Sequence, residues 1–200
     1  SVLTLSNTNT YTGVTTINAG TISVGTIGNG GVAGNLGQAT NASTNIVLGG
    51  GTLKYTGSTA TSDRAFTITA GTTGTIDVPT GVTLTLAGAT GTTTTGALTK
   101  TNSGTLNLSG INTYTGTTTI SAGTLAITGS GSLNSGSYAG SIVDNATFIY
   151  SSSATQTLSG VISGTGALTK DTDTSSVLTL SNTNTYTGVT TINAGTISVG

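Results

Sequence analysis

Residues 1–25 of this chain return without a single change as residues 176–200. Both segments read SVLTLSNTNTYTGVTTINAGTISVG, so Ser1 and Ser176 mark the starts of two successive long repeats. A match of this length without a mismatch indicates duplication. Residues 1–175 are therefore predicted to be one full long repeat, residues 176–200 the start of the next, and the chain an interior window of a longer polypeptide.

A shorter module recurs inside the long repeat. The pentamer NTYTG begins at Asn9, Asn112 and Asn184, so the first interval is clearly longer than the second. The pentamer GALTK begins at Gly96 and Gly166, each time ahead of an alternating segment and then NTYTG. The module is most complete at residues 96–129 and 166–200. Residues 26–42 and 129–140 are variable and rich in Gly, Asn and Ser, so we predict that they form loops.

Apolar and polar residues alternate in short segments along the whole chain, as in TLKY, TLTL and TLNL, which begin at Thr52, Thr83 and Thr105. A period of two residues is typical of a strand that buries one face. Clusters of Gly, Asn and Ser separate these segments, which favours many short strands joined by turns. Val, Ile and Thr suit strands, and the strong helix formers are nearly missing. The sequence predicts an all-β fold.

Charge is scarce: charged residues make up 4% of the chain and hydrophobic residues 34%, which is opposite to the composition of a disordered segment. With a net charge of −1 and only four Lys and Arg residues, the chain offers no basic patch for nucleic acid or an anionic membrane. This window also contains no apolar segment of membrane-spanning length.

Two architectures can use such strands, a β-sandwich and a β-solenoid. A sandwich domain needs boundaries, but neither the composition nor the charge shifts anywhere along residues 1–200. A solenoid fits better, because coils of roughly 20–25 residues stack into one continuous core. Residues 1–200 are therefore predicted to be a single continuous solenoid segment, advancing about 40 Å per long repeat if the repeat has roughly eight coils spaced by about 4.8 Å.

Residues 96–129 and 166–200, which carry GALTK followed by NTYTG, resemble the autotransporter-associated β-strand repeat of bacterial type V secreted proteins. The segment GGGTLKYTGSTATSDRAFTITAG, residues 49–71, is similar to the stretch that commonly precedes this repeat. The resemblance implies a right-handed parallel β-helix on the outside of a Gram-negative type cell.

Several side chains are candidates for binding sites. Asp171 and Asp173 form a D-x-D without the further oxygen ligands and Gly of a calcium loop, so a solvated turn is preferred. The candidates for a dinucleotide fingerprint are Gly28, Gly30 and Ala33, and they lack a βαβ context.

Few residues could carry enzymatic chemistry. Asp63 is adjacent to Arg64, while Asp77 and Asp144 are isolated, and the chain has no Glu and no His. Polysaccharide-degrading β-helix enzymes need converging acid and base groups. A surface ion pair or a turn hydrogen bond is the preferred role for each of these residues, and no catalytic, cofactor or metal site is predicted.

Two kinds of surface recognition remain as alternatives. The tyrosines of the NTYTG motifs, Tyr11, Tyr114 and Tyr186, could stack on sugars, although their place beside a turn favours corner packing. Runs of Thr such as GTTTTG, residues 91–96, and TLTLAG could order water as in ice-binding solenoids, which would require a strict T-x-T pattern on one face.

The predicted function is structural: a repeat of a secreted or cell-surface solenoid filament or stalk, without enzymatic activity or cofactors. Its expected partners are further copies of the same repeat, in the same chain or laterally in a fibre. The alternative is an adhesin that binds cell-surface glycan or protein, and a polysaccharide-degrading enzyme is a more distant one.

Overall fold

The computed structural model describes residues 1–91, 94–172 and 174–200. These residues form a β-solenoid of about nine turns, in which the paired strands run parallel. Two short 3-10 helices, Ser43–Asn45 and Asn134–Gly136, are the helical elements of the described residues. The strand prediction and the solenoid are confirmed, and the sandwich alternative is wrong because sandwich sheets are antiparallel.

The strands stack on three faces. The first face contains Val2–Leu5, Thr21–Val24, Thr52–Tyr55, Thr73–Asp77, Ala97–Thr101, Thr118–Ile120, Ile142–Asp144 and Ile162–Ser163. The second face contains Ala60–Ser62, Thr83–Leu86, Thr105–Leu108, Thr124–Gly129, Thr147–Ser152, Ala167–Lys170 and Thr190–Ile192. The third face contains three smaller sheets: Thr15–Ile17, Ile46–Leu48 and Thr67–Ile68; Ile111–Asn112 and Ser132–Leu133; and Ser137–Tyr138, Gln156–Leu158, Val177–Leu180 and Thr196–Val199.

One circuit of the chain from the first face through the second and third and back forms a coil. Thr52 pairs with Thr75, and Leu98 with Thr118, so the coils that start at Thr52 and Leu98 match the predicted length of roughly 20–25 residues. Thr21 pairs with Thr52, and the coil between them is longer because the loop of residues 26–42 is inserted in it. Coils without this insertion stay close to the predicted length.

Inward-facing side chains form columns that run along the solenoid. On the second face, register pairing places large apolar residues directly on one another, all fully buried: Leu84, Leu106, Leu125, Phe148 and Leu168. Each such side chain contributes about 1.5–3 kcal/mol by burial. The core is therefore continuous from coil to coil and has no domain boundary within the described residues.

Residues 129–140 differ from their prediction as a loop. They contain the short strands Ser132–Leu133 and Ser137–Tyr138, and both Leu133 and Tyr138 are fully buried. These isolated apolar residues lie in a Gly- and Ser-rich stretch that has no alternating period. Their strand conformation comes from pairing with neighbouring coils, as between Leu133 and Asn112.

Glycines stack at the corner between the third and first faces. A Cβ atom on Gly116 would lie 2.4 Å from the carbonyl oxygen of Gly96, and one on Gly140 would lie 2.6 Å from that of Gly116. Gly160 repeats the arrangement, with 2.2 Å to the carbonyl oxygen of Gly140. The coils approach so closely here that only a residue without a side chain fits. This contact explains Gly96, which opens the first GALTK, and Gly116, which closes the second NTYTG.

The glycine corner yields a matched pair of variants. Gly116→Ala is expected to lower the free energy of unfolding by about 1–3 kcal/mol, because the new methyl group must push two coils apart. Gly13→Ala changes the same motif position where no atom lies within 4 Å of the new Cβ, and it should have little effect. Urea unfolding of both variants measures the difference, and equal losses would contradict the close-approach explanation.

Candidate functional site

The NTYTG motif is a structural clip in all three of its copies. The tyrosine hydroxyl hydrogen-bonds the Oγ1 of the threonine four residues later, between Tyr11 and Thr15, Tyr114 and Thr118, and Tyr186 and Thr190, at 3.0, 3.0 and 2.6 Å. In the central copy, Tyr114 is only 2% exposed, so its ring has no free face for a sugar. Tyr11 and Tyr186 are partly exposed.

The central copy is reinforced by a second aromatic ring. The rings of Tyr114 and Tyr138 meet edge to face, with centroids 5.8 Å apart. The Thr118 hydroxyl bonds both tyrosine hydroxyls, at 2.8 Å for Tyr138, which also donates to the Gly116 carbonyl. Burial raises the pKa of both tyrosines above the usual value, so both hydroxyls stay protonated.

The asparagine of NTYTG holds the corner that precedes the tyrosine. Its side-chain amide donates to the carbonyl two residues earlier in each copy, at 3.0 Å for Asn9, 2.8 Å for Asn112 and 3.0 Å for Asn184. Each asparagine also bonds the backbone of an adjacent segment; Asn112, for example, donates to the Ser132 carbonyl at 3.2 Å. The motif thus ties one coil to its neighbour.

The lysine of GALTK holds a turn, a role that residue type alone does not assign. Lys100 is fully buried, and its ammonium group donates to the carbonyls of Thr101 and Asn102 at 2.8 and 2.7 Å. Burial lowers the pKa of Lys100 to about 8, while the charge of Asp77 acts in the opposite direction. Lys170 is also fully buried and donates to the Asp171 carbonyl at 3.3 Å.

Both lysines precede a turn with left-handed backbone, at Asn102 (φ 64°) and Thr172 (φ 75°). The ammonium group therefore donates hydrogen bonds to carbonyl groups that the turn points inward. Without these bonds the carbonyl groups would be costly to bury. The signal in the sequence is the recurrence of the same Lys at the end of both GALTK copies.

Asp63 and Arg64 fix the long loop, residues 26–42, which we call the anchored loop. The Arg64 guanidinium donates to the carbonyls of Gly28, Ala39 and Gly37 at 3.0, 3.1 and 2.8 Å. Asp63 accepts from the Gly30 amide at 2.8 Å. Arg64 is only 2% exposed, so the expectation of a surface ion pair is wrong for it, and the turn hydrogen bond describes it instead.

This loop also contains the fingerprint candidates Gly28, Gly30 and Ala33. The Gly28 carbonyl and the Gly30 amide are already bonded by Arg64 and Asp63. No α-helix follows them in the described part of the chain, so the arrangement does not form a phosphate-binding helix start.

Asp77 and Asp144 do not converge. Asp77 accepts hydrogen bonds from Thr101 and Asn102 at 3.1 and 3.3 Å. Asp144 lies three strands further along the first face, about 14 Å away at the usual strand spacing. This separation exceeds that of the two carboxylates in a glycosidase.

Asp144 is buried, and its Oδ2 atom has no hydrogen-bond partner among the described residues. Its Oδ1 atom accepts from the Ala146 amide at 3.1 Å. Burial raises the pKa of Asp144, and the amides of Ala146 and Phe148 oppose this in part.

Asp171 accepts from the Thr172 amide at 2.7 Å in a turn, and Asp173 lies outside the described residues. Across the residues that the structure describes, no group of three or more Asp or other metal-ligating side chains could hold a metal ion. None of the helices in those residues is both long and apolar enough to cross a membrane.

Threonines form an outward column on the first face, in successive strands: Thr21, Thr52, Thr75, Thr99 and Thr119. The adjacent outward column contains Lys54 and Asp77. The T-x-T pattern that ordered water would require is therefore interrupted on this face. Of GTTTTG, residues 91–96, Thr92 and Thr93 lie outside the described residues.

The role of Arg64 can be tested by Arg64→Met, which keeps an unbranched side chain and removes all three donors. We expect a loss of about 2 kcal/mol or more in the free energy of unfolding, together with faster hydrogen exchange at the amides of Gly30 and Gly31. Lys54→Met, which removes an exposed cation from the first face, is the control. Unchanged exchange in the Arg64 variant would show that Arg64 does not hold the loop.

Asp144 predicts a specific dependence of stability on pH. Because its pKa is higher in the folded chain than its ordinary value of 3.8, the folded state binds more protons between these two values. The free energy of unfolding therefore falls as the pH rises through that window, and the contribution of Asp144 is complete below 3.8. Asp144→Asn should remove this decrease, measured by urea unfolding from pH 3.5 to 7. An identical pH profile in the variant would contradict the assignment.

Comparison with known proteins shows what these modules are similar to. The model of the passenger-associated-transport-repeat family matches residues 1–24, 98–127 and 175–199, the segments that carry the NTYTG clips. The protein described as "Adhesin BmaC autotransporter" from Brucella suis biovar 1 (strain 1330) is 48% identical over 120 residues, which are 59% of this chain and 3% of the relative. The chain thus spans about 3% of the length of this curated relative. No solved structure matches. The three modules of the chain thus match passenger-associated-transport repeats and are similar to part of an autotransporter adhesin.

Proposed function

We propose that the chain is a load-bearing segment of a bacterial cell-surface stalk, a β-solenoid that extends an autotransporter adhesin away from the cell. The relative that it resembles is named an adhesin, and its far greater length leaves room for many such segments. In this role the chain acts through its stacked backbone and core and carries out no reaction.

The observation that carries the proposal is a comparison of identical residues within one chain. Ile17 is 3% exposed, whereas its copy Ile192 is 53% exposed. Val24 is fully buried and its copy Val199 is 77% exposed. The sequences are the same, so the difference comes from the surroundings: Ile46–Leu48 and Thr52–Tyr55 pair with the two strands of the first copy, and no described strand follows those of the last copy.

Burial in this chain is thus supplied by adjacent coils on either side, since Leu3 is 57% exposed and its copy Leu178, paired on both sides, is fully buried. A coil that buries its apolar residues only between neighbouring coils gains stability by continuing the stack, which is the physical basis of a long rod. Uncharged Thr- and Ser-rich faces and tightly spaced Gly corners suit a rod of uniform thickness. Among the described residues, no set of convergent acid and base groups favours an enzyme.

Direct adhesion through the side of the solenoid is the second candidate. It is favoured by the anchored loop, a fixed segment with Val32 57% exposed, and by the name of the relative. Saturable binding of the chain to cell-surface glycan or protein, lost when residues 28–39 are replaced by two glycines, would select this candidate.

The stalk proposal is tested with chains that contain residues 1–175 once, twice or four times, each followed by residues 1–25. Small-angle X-ray scattering should give a constant cross-section and a length that rises by about 37 Å for each added unit, from about 4.8 Å per coil. A compact particle whose cross-section grows with the number of units would overturn the proposal.

A further inference from the structure

The strand that precedes NTYTG lies on a different face of the solenoid in each of the three module copies. The first strand of the first copy, Val2–Leu5, lies on the first face. The corresponding strand of the second copy, Thr105–Leu108, lies on the second face, and that of the third copy, Val177–Leu180, on the third. The module therefore does not always lie on the same side of the rod.

The change of face from one copy to the next arises from the number of turns between the copies. From Val2–Leu5, the described strands pass the first face four more times before the second copy starts one face later. From Thr105–Leu108, they complete three turns and again advance by one face. Both intervals thus end in a remainder of one third of a turn, although the first is clearly longer in sequence than the second.

The long repeat, residues 1–175, accordingly spans seven turns and two thirds. The copy of its first segment, residues 176–200, starts in a different orientation from residues 1–25 although the two sequences are identical. Strand Thr15–Ile17 lies on the third face, whereas its copy Thr190–Ile192 lies on the second.

The first copy shows which segment fits on the strands that end the stack in residues 176–200. In the first copy, Thr15–Ile17 is paired by Ile46–Leu48, and Thr21–Val24 is paired by Thr52–Tyr55. The same two strands in residues 176–200 lack these following partners among the described residues and expose Ile192 and Val199. A segment with the sequence of residues 26–55 is what covers identical strands in the first copy, so it fits this surface.

We infer that each further copy of the long repeat docks on the coil of residues 176–200 and is rotated by two thirds of a turn, so that successive anchored loops point to different sides of the rod. The anchored loop lies over the second face, where Ser62 and Arg64 bond the Gly28 carbonyl. In the second unit it lies over the first face, in the third unit over the third face, and in the fourth over the second again.

This rotation determines how the anchored loops are spaced along and around the rod. Loops on successive units are about 37 Å apart along the axis, and loops on the same side are about 110 Å apart, at about 4.8 Å per coil. A stalk built in this way presents the same segment to all sides. The inference rests on the proposed solenoid stalk but does not depend on an adhesive role for the loop.

Electron cryomicroscopy of a chain with four copies of residues 1–175 followed by residues 1–25 tests the rotation. The expected result is one continuous rod with protrusions on three sides, and the fourth in line with the first. A matched chain with residues 28–39 of every unit replaced by two glycines should lose the protrusions. Protrusions in line on one side would overturn the rotation and leave the stalk proposal intact, whereas the absence of a continuous rod would overturn both.

The docking step is tested separately on the chain of residues 1–200, which contains no Cys. Ile192→Cys should react readily with a thiol reagent, and at least about tenfold more slowly when the chain continues with the sequence of residues 26–55. Val2→Cys, 65% exposed at the opposite end, should react equally in both chains. Equal reactivity of the Ile192 variant in both chains, or equal protection by a scrambled extension, would overturn the docking.

Discussion

Parallel pairing of each coil with the next is the interaction on which the rest of this structure depends. A single coil cannot enclose a core, and its apolar side chains are buried only when the columns continue above and below it. The contrast between Ile17 and Ile192 shows this within one chain, because the two residues share the same local sequence and differ in the coils that surround them. Stability is therefore a property of the stack and not of any single coil.

The corners carry most of the specific chemistry. At one corner, stacked glycines let backbones approach within distances that exclude any side chain, as at Gly96 and Gly116. At another, Lys100 and Lys170 hold inward-facing carbonyls, and the NTYTG clip joins Tyr, Thr and Asn side chains to adjacent backbone. Among the described residues, Lys100, Lys170 and Arg64 thus use their charged groups to hold backbone carbonyls.

Much of this arrangement could be predicted from local sequence pattern. The alternation in TLTL and TLNL is enough to place Leu84 and Leu106 inward, because a strand period of two leaves no other choice once one face is buried. The pattern could not identify Arg64 as an anchor, since its three carbonyl partners lie 25 to 36 residues earlier in the chain. Nor could it place Leu133 and Tyr138 in strands, because single apolar residues among Gly and Ser show no period.

The orientation of the repeats likewise cannot be predicted from the number of residues between them. The coil from Val2 to Thr21 is short, and the next coil, from Thr21 to Thr52, is more than half as long again, so a spacing along the sequence does not by itself give a number of turns. The structure shows that the two unequal spacings between NTYTG motifs leave the same remainder of one third. If each module presented the same face, the NTYTG clip would recur on one side of the rod. Advancing by one third of a turn instead places the three clips on three different sides of the solenoid, so no single side carries all of them.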